Sequence, residues 1–354
     1  MIYWTVEEIG RRTFVRSLAS IAGALAVGGC AGNSSRTGGV FGSDVAVARS
    51  PREWSDRMGL QLFTVRDQIE KDFEGTLAQV AAAGYKEVEP TSYVGRTPAQ
   101  VRAALDRAGL AAPSTHVALV PGPELERQLA GYQEMGHRWA AARPAGALGG
   151  GRPPGPPPGA TGGAGAPAQQ AGRPAGGAGR GGPPQPVTLD MVKRQAELYN
   201  QVGAAGKPYG VKVLVHNHTN EFQPLADSTM LPYDVLFRET DPDLVAFELD
   251  IGWARVAGQD PLSLFAQHPH RFPLWHVKDM ADLRTVTALP MQFERQRAAK
   301  IVPVGAGDID YRPVFEHAAD AGLEHFYIEQ DTAPDTGSIE AMRLSAQNLR
   351  KSLS

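Results

Sequence analysis

The stretch VLVHNHTNEF, residues 213–222, passes from an apolar run into His216, Asn217, His218 and Glu221. Imidazoles and carboxylates are costly to bury unless something compensates them, yet these crowd the end of what reads as a buried strand. The pattern recurs. LVAFELD ends in Glu248 and Asp250, PLWHVKD in His276, Lys278 and Asp279, and HFYIEQD in Glu329 and Asp331. Earlier runs add Glu87 and Glu89 from KEVEP and His116 from APSTHVAL. Carboxylates brought together repel one another, and a divalent cation relieves that repulsion. An oxygen-rich set with imidazole suits Mn, Mg, Co or Zn. No pair has a compact ligand spacing such as His-x-x-x-His, so the signal is position at strand ends. One strand-end His or Asp alone is better explained as a turn or cap residue. Four successive strands that each offer one favour a ligand set.

The elements that must carry these groups alternate from Met58 onward. MGLQLFTV reads as a strand, FEGTLAQVAAAGY as a helix and KEVEP as a strand. TPAQVRAALDRAGL is a helix with Thr97 as N-cap and Pro98 in its first turn. APSTHVAL, PELERQLAGYQEMG and HRWAAARP continue the series, as do TLDMVKRQAELYNQVGAAG, VKVLVHNH, PYDVLFRET and LVAFELDIGW. PLSLFAQH, FPLWHVKD, YRPVFEHAADAG and EHFYIEQD complete it. These are eight β units, each but the last followed by a helical segment. Such alternation predicts parallel strands with right-handed crossovers. Eight of them predict closure into a (β/α)8 TIM barrel of roughly 260 residues, with its active site at the C-terminal ends of the strands. The runner-up, a doubly wound open sheet, lacks its glycine-rich dinucleotide fingerprint after the first strand.

Of the 354 residues, 42% are hydrophobic, and the net charge is -3 with both signs mixed throughout. No basic face stands out, which argues against a nucleic-acid partner. Cys30, the only cysteine, lies in RRTFVRSLASIAGALAVGGCAG. The apolar run there is too short to span a membrane and reads as an export signal over residues 1–30. Its paired arginines resemble a twin-arginine signal. VGGC resembles a lipobox, with Cys30 lipidated as the mature N-terminus. The expected location is the periplasm, free or anchored to the membrane only through that lipid. Residues 31–57 read as a flexible tether, and 58–354 as the barrel. From about 144 to 186 nearly every residue is Gly, Pro, Ala, Arg or Gln, a composition that cannot bury a core. This predicts a disordered insertion between the fourth strand and its helix.

GLQLFTVRD, GYKEVEP, HNHTNEF, ELDIGW, WHVKD, VGAGDIDY and YIEQD together resemble the sugar phosphate isomerase/epimerase family, the xylose-isomerase-like TIM barrels. The resemblance runs from Met58 to Ser354, apart from the insertion. It implies one divalent metal ion held by Glu, Asp, His and Glu from strands five to eight, matched here by Glu221, Asp250, His276 and Glu329. Many relatives carry Glu where His216 stands, so His216 and His218 are alternatives to Glu221. Many also carry Asp-x-x-His on strand six. Trp253 in the fourth place departs from the multi-zinc apurinic endonuclease branch, and offers either packing or an aromatic face to a sugar ring.

The implied activity is isomerisation or epimerisation of a sugar or keto-sugar through an enediolate, with Glu221 and Glu329 as acid and base. Lys278 would stabilise an oxyanion or relay a proton, or else pair with Asp279. His116 and His218 would meet substrate hydroxyls or relay a proton, and His216 and Glu89 would meet substrate hydroxyls. VGAGDIDY lies where barrels often bind phosphate, although a tight turn explains it equally well. An exported protein seldom meets sugar phosphates, so an unphosphorylated sugar, inositol or glycoside derivative is expected. A keto-sugar or inosose-type dehydratase shares the chemistry. An exported, non-catalytic sugar-binding protein is the reading from another class.

Overall fold

The computed structural model describes residues 49–142, 186–332 and 336–354. The expected export signal, Cys30, most of the tether and nearly all of the expected insertion lie outside the described residues. No helix among the described residues is long and apolar enough to cross a membrane.

Eight strands form one all-parallel sheet: β1 Gly59–Gln61, β2 Glu87–Glu89, β3 Ser114–Leu119, β4 Trp139–Ala142, β5 Lys212–His216, β6 Val245–Asp250, β7 Leu274–Val277 and β8 His325–Ile328. Their order is β2-β1-β8-β7-β6-β5-β4-β3. The ends β2 and β3 approach through a bridge between Glu87 and Ala111. Val88 N–H donates to the Ala111 carbonyl and His116 N–H to the Pro90 carbonyl, each at 2.8 Å. The result is a nearly closed (β/α)8 TIM barrel, as the alternation predicts. Its outer layer includes α1 Phe73–Ala82, α2 Pro98–Ala108, α3 Leu125–Met135, α4 Leu189–Gly206, α5 Pro232–Glu239, α6 Pro261–Gln267, α7 Tyr311–Glu316 and α8 Ser338–Leu353. Local chemistry starts several of these helices. Thr97 and Gln100 form a capping box for α2, and Thr188 caps α4.

Four boundaries differ from the sequence reading. Only Gly59–Gln61 of MGLQLFTV pairs in the sheet. The Gln61 side chain caps the next residues, which wind into a 3-10 turn over Leu62–Val65. Strand β6 stops at Asp250, because that side chain caps a short helix, Ile251–Val256. The last strand does have a helix after it. In α8, Ala341, Met342, Ser345, Ala346, Leu349 and Leu353 recur at helical spacing and are buried. Finally, Pro51–Ser55, assigned to the tether, is a helix with a Ser50–Glu53 capping box. Its Trp54 is 2% exposed and packs on Phe315 and Phe326 at ring separations of 6.4 and 6.3 Å. The folded unit therefore begins before Met58.

Period-two alternation explains what fills the barrel. Val213, Val215, Phe247, Leu249, Trp275, Val277, Phe326 and Ile328 belong to the main core, between sheet and helices. The alternate residues Leu214, Ala246, Leu274 and Tyr327, with Trp139, form a separate apolar plug. Continuing that inward parity along each strand reaches His216, then Glu248 and Asp250, then His276 and Lys278, then Glu329.

Candidate active site

Around Glu248 the strands bring three imidazoles to one carboxylate oxygen. Its Oε2 lies 2.6 Å from His116 Nε2, 2.9 Å from His216 Nδ1 and 3.2 Å from His276 Nε2. Its Oε1 is buried without a hydrogen-bond partner among the described residues. Glu89, also fully buried, accepts from Gln61 Nε2 at 2.7 Å, from the Ser114 hydroxyl, and from His276 Nε2 at 2.8 Å. Burial pushes Glu248 upward, but the His276 and His116 rings outweigh it and hold the carboxyl well below its ordinary range. Burial alone would lower His276; the Glu248 and Glu329 carboxylates reverse that and hold the ring well above the ordinary histidine range. His216 goes the other way. Burial, aided by the positive His276 and His116 rings, keeps it far below that range and therefore neutral.

Around Asp250 the groups are arranged differently. Asp250 Oδ1 accepts the Trp253 N–H at 2.8 Å, as the cap of the short helix. Its Oδ2 is buried and makes no aligned hydrogen bond among the described residues, although Lys278 Nζ lies 2.9 Å away. His276 Nδ1 and His216 Nε2 each stand 3.8 Å from the same oxygen. His276 Nδ1 is also 2.7 Å from Glu329 Oε2. Lys278 Nζ lies 3.0 Å from Glu329 Oε2 and 2.8 Å from Asp331 Oδ2. Asp250, His276 and Glu329 each bring a donor atom within 4.8 Å of the others, and so do His116, His216, Glu248 and His276. Five carboxylates, Glu89, Glu248, Asp250, Glu329 and Asp331, converge here with three imidazoles and the Lys278 ammonium.

Most of the residues expected to act are therefore neighbours: Glu89, His116, His216, Asp250, His276, Lys278 and Glu329. His218 is exposed at the rim, its ring 5.0 Å from that of His216 and 5.9 Å from that of Trp253. Trp253 is nearly buried, with Lys278 Nζ 5.2 Å from its ring centre. Glu221 does not join either donor group. It sits in a 3-10 turn after β5, and its Oε2 accepts the His218 N–H at 2.7 Å. Lys278 pairs with Asp331, not Asp279. The Asp279 carboxylate turns into the VGAGDIDY loop and accepts the N–H groups of Gly305, Gly307 and Ile309 at 2.8, 3.0 and 3.2 Å. A β-carbon on Gly307 would lie 2.3 Å from Asp279 Oδ1, so close approach requires glycine there.

Two participants carry no assigned role in the sequence reading. Glu248 is one; it lies two residues before Asp250 and so shares its inward face. Asn217 is the other. It is fully buried. Its Oδ1 accepts the Asp250 N–H at 2.9 Å and its Nδ2 donates to the Asp250 carbonyl at 3.2 Å. No sequence pattern marks a side chain that grips another residue's backbone.

The nearly closed parallel barrel, with an ionisable mouth at the C-terminal strand ends, defines a TIM barrel of the kind that carries its site on that face. Residues 77–351 match the model of the xylose isomerase-like TIM barrel family, and the chain belongs to that family. Over 148 residues it is 31% identical to an inosose dehydratase of Clostridium tetani, in a match covering 40% of this chain and 48% of that protein. The chain thus spans about half the length of the curated relatives it matches. Among solved structures, a sugar phosphate isomerase/epimerase of Parabacteroides distasonis aligns with a TM-score of 0.59 at 20% identity, over 84% of this chain and 94% of that one. A xylose isomerase-like TIM barrel protein of Mycobacterium smegmatis, in complex with magnesium, aligns at 0.51 and 15% identity, over 86% and 100% of the two chains. These two likenesses are of fold.

Proposed function

We propose that the protein is a divalent-cation-dependent isomerase or epimerase that moves a proton at the carbon beside a carbonyl of a sugar or keto-sugar. One observation carries the reading: Asp250, His276 and Glu329 converge at the barrel mouth while the buried Asp250 Oδ2 lacks an aligned hydrogen bond. Two carboxylates and an imidazole fit a hard or borderline divalent ion. His216 is the strand-five donor in this proposal. It is neutral, its Nδ1 is held by Glu248 at 2.9 Å, and its Nε2 is turned toward Asp250. A carboxylate that grips the far nitrogen is the usual support for a ligating histidine. Glu221, engaged with the His218 N–H, shapes the loop instead.

When bound, the ion supplies Lewis-acid polarisation of the substrate carbonyl. The side chains do the rest. Glu329 takes the α-proton on the oxygen the ion leaves free, and Lys278, whose Nζ also lies 2.8 Å from Asp331 Oδ2, donates to developing negative charge. Burial raises the Glu329 carboxyl, but Lys278 and His276 more than offset this and keep it ionised. His116 and His218 are the proposed contacts for substrate hydroxyls, with Trp253 as an apolar wall. The proposed substrate is unphosphorylated, because Asp279 fills the backbone N–H groups of the loop where a barrel often holds phosphate. The proposal keeps the export read from residues 1–30; cell fractionation that finds the mature protein only in the cytoplasm would remove that part.

A dehydratase is the second reading, favoured by the similarity to inosose dehydratases over part of the chain. It shares the first proton abstraction and then expels a β-hydroxyl. A panel of keto-sugars and inososes in deuterated water, with Mn, Mg, Co or Zn, tests both. Deuterium in a recovered or isomeric sugar supports the isomerase or epimerase. Loss of water with a new conjugated double bond supports the dehydratase. A cation-loaded protein that does neither overturns both readings.

A further inference from the structure

Lys278 stands where a resident cation would stand. It is fully buried, and its Nζ lies 2.9 Å from Asp250 Oδ2 and 3.0 Å from Glu329 Oε2. Those two oxygens also belong to the proposed ion site. A third oxygen, Asp331 Oδ2, is 2.8 Å away and belongs to neither group of potential ligands. The base of the side chain is fixed by close packing, since a β-carbon on Gly252 would lie 2.8 Å from Lys278 Cβ. Only the amino end has a choice of partners. Two carboxylates brought this close in a buried place need a positive charge between them, and an ammonium and a divalent ion cannot both be fully shared by the same two oxygens.

We infer that Lys278 is the built-in counter-ion of the cation site: it holds Asp250 and Glu329 in place before the ion arrives, and yields them by turning to Asp331 when it does. This rests on the cation reading above. It explains why Asp331 sits beside the site without joining it. It also makes the protein's affinity for the ion a difference between two cations, so that removing one strengthens the hold on the other.

The test is calorimetric titration of the purified protein with Mn or Zn, together with the melting temperature of the ion-free form. Lys278→Met is expected to bind the ion roughly ten-fold or more tightly, since a unit charge a few ångströms away is removed. Its ion-free form is expected to melt lower and to recover on adding the ion. Asp331→Asn is expected to bind more weakly, because the displaced ammonium loses its refuge. In the Lys278→Met background the Asp331→Asn effect should largely vanish, as a double-mutant cycle would reveal. Unchanged or weaker binding by Lys278→Met overturns the inference, and so do additive effects in the cycle. Should Lys278→Met fail to fold, Asp331→Asn decides alone: binding as tight as the unmodified protein overturns the inference. If the unmodified protein binds no divalent ion, or binds it equally well after Asp250→Asn, the cation reading itself falls and this inference with it. If the ion binds and only the Lys278 effects are missing, that reading stands and the inference alone fails.

Discussion

Replacing Asn217 by alanine is expected to weaken both the fold and the site, through hydrogen bonds that no other group can make. Asn217 is fully buried and pairs with both backbone groups of Asp250, at 2.9 and 3.2 Å. Alanine leaves the buried Asp250 N–H without a partner, and removes one of two bonds to its carbonyl, which also opens the short helix Ile251–Val256. At about 1–3 kcal/mol for the orphaned N–H, the loss is about 1–3 kcal/mol, a sizeable share of the 5–15 kcal/mol or so that holds a typical domain folded. Asp250 presents one of the three donors of the proposed ion site. Freeing its backbone should also loosen ion binding by roughly 10- to 100-fold, the range seen when groups that orient metal ligands are removed. Urea denaturation of the ion-free protein reads the first effect and ion titration the second. Asn217→Asp is the discriminating control. It keeps the shape and the acceptor but replaces the donor to the Asp250 carbonyl, so it should be nearly as damaging at neutral pH. Stability within about 0.5 kcal/mol of the unmodified protein for Asn217→Ala, or a harmless Asn217→Asp, would refute the reasoning.

His137 gives a pH prediction. It is buried, with Nδ1 donating to the Ala112 carbonyl at 2.6 Å and Nε2 paired with the Tyr93 hydroxyl at 2.9 Å. Burial is the main cause that lowers it from 6.5 to about 4. Between those values the unfolded chain binds the proton and the folded chain does not, so stability is complete above the upper value and falls as pH drops toward the lower. At about 1.36 kcal/mol per pH unit the loss is about 3 kcal/mol. His137→Gln should lessen the acid loss by that amount in urea melts from pH 7 to 4, and an unchanged slope would contradict it. Trp54→Ala should cost about 3–5 kcal/mol, measured by the same melts; no loss would mean that residues 51–55 are not part of the folded unit.

The barrel was legible because two periodicities repeat. Apolar alternation marks the strands, and capped segments such as Thr97–Ala108 mark the helices. What escaped was decided by single side chains. Gln61 and Asp250 each cap a following turn and so shorten strands that would otherwise read on. Trp54 is one anchor in a segment too short to show a period. At the site, His276 and Glu329 are visible as strand-end groups, and inward parity explains why Lys278 meets Asp331 while Asp279 turns away. Glu221 stands apart from both donor groups because it lies five positions beyond the last residue of β5, in a 3-10 turn whose geometry no alternation predicts. Asn217 escapes for a different reason: its partners are backbone atoms.

The most direct measurement is anomalous diffraction from crystals grown with Mn or Zn, with elemental analysis of the same protein. The account predicts one ion per chain within bonding distance of Asp250 Oδ2, a His276 ring nitrogen and Glu329, with His216 Nε2 as the fourth protein donor, and its loss in Asp250→Asn. An ion bound elsewhere, or no ion at these groups even at saturating metal, would contradict it.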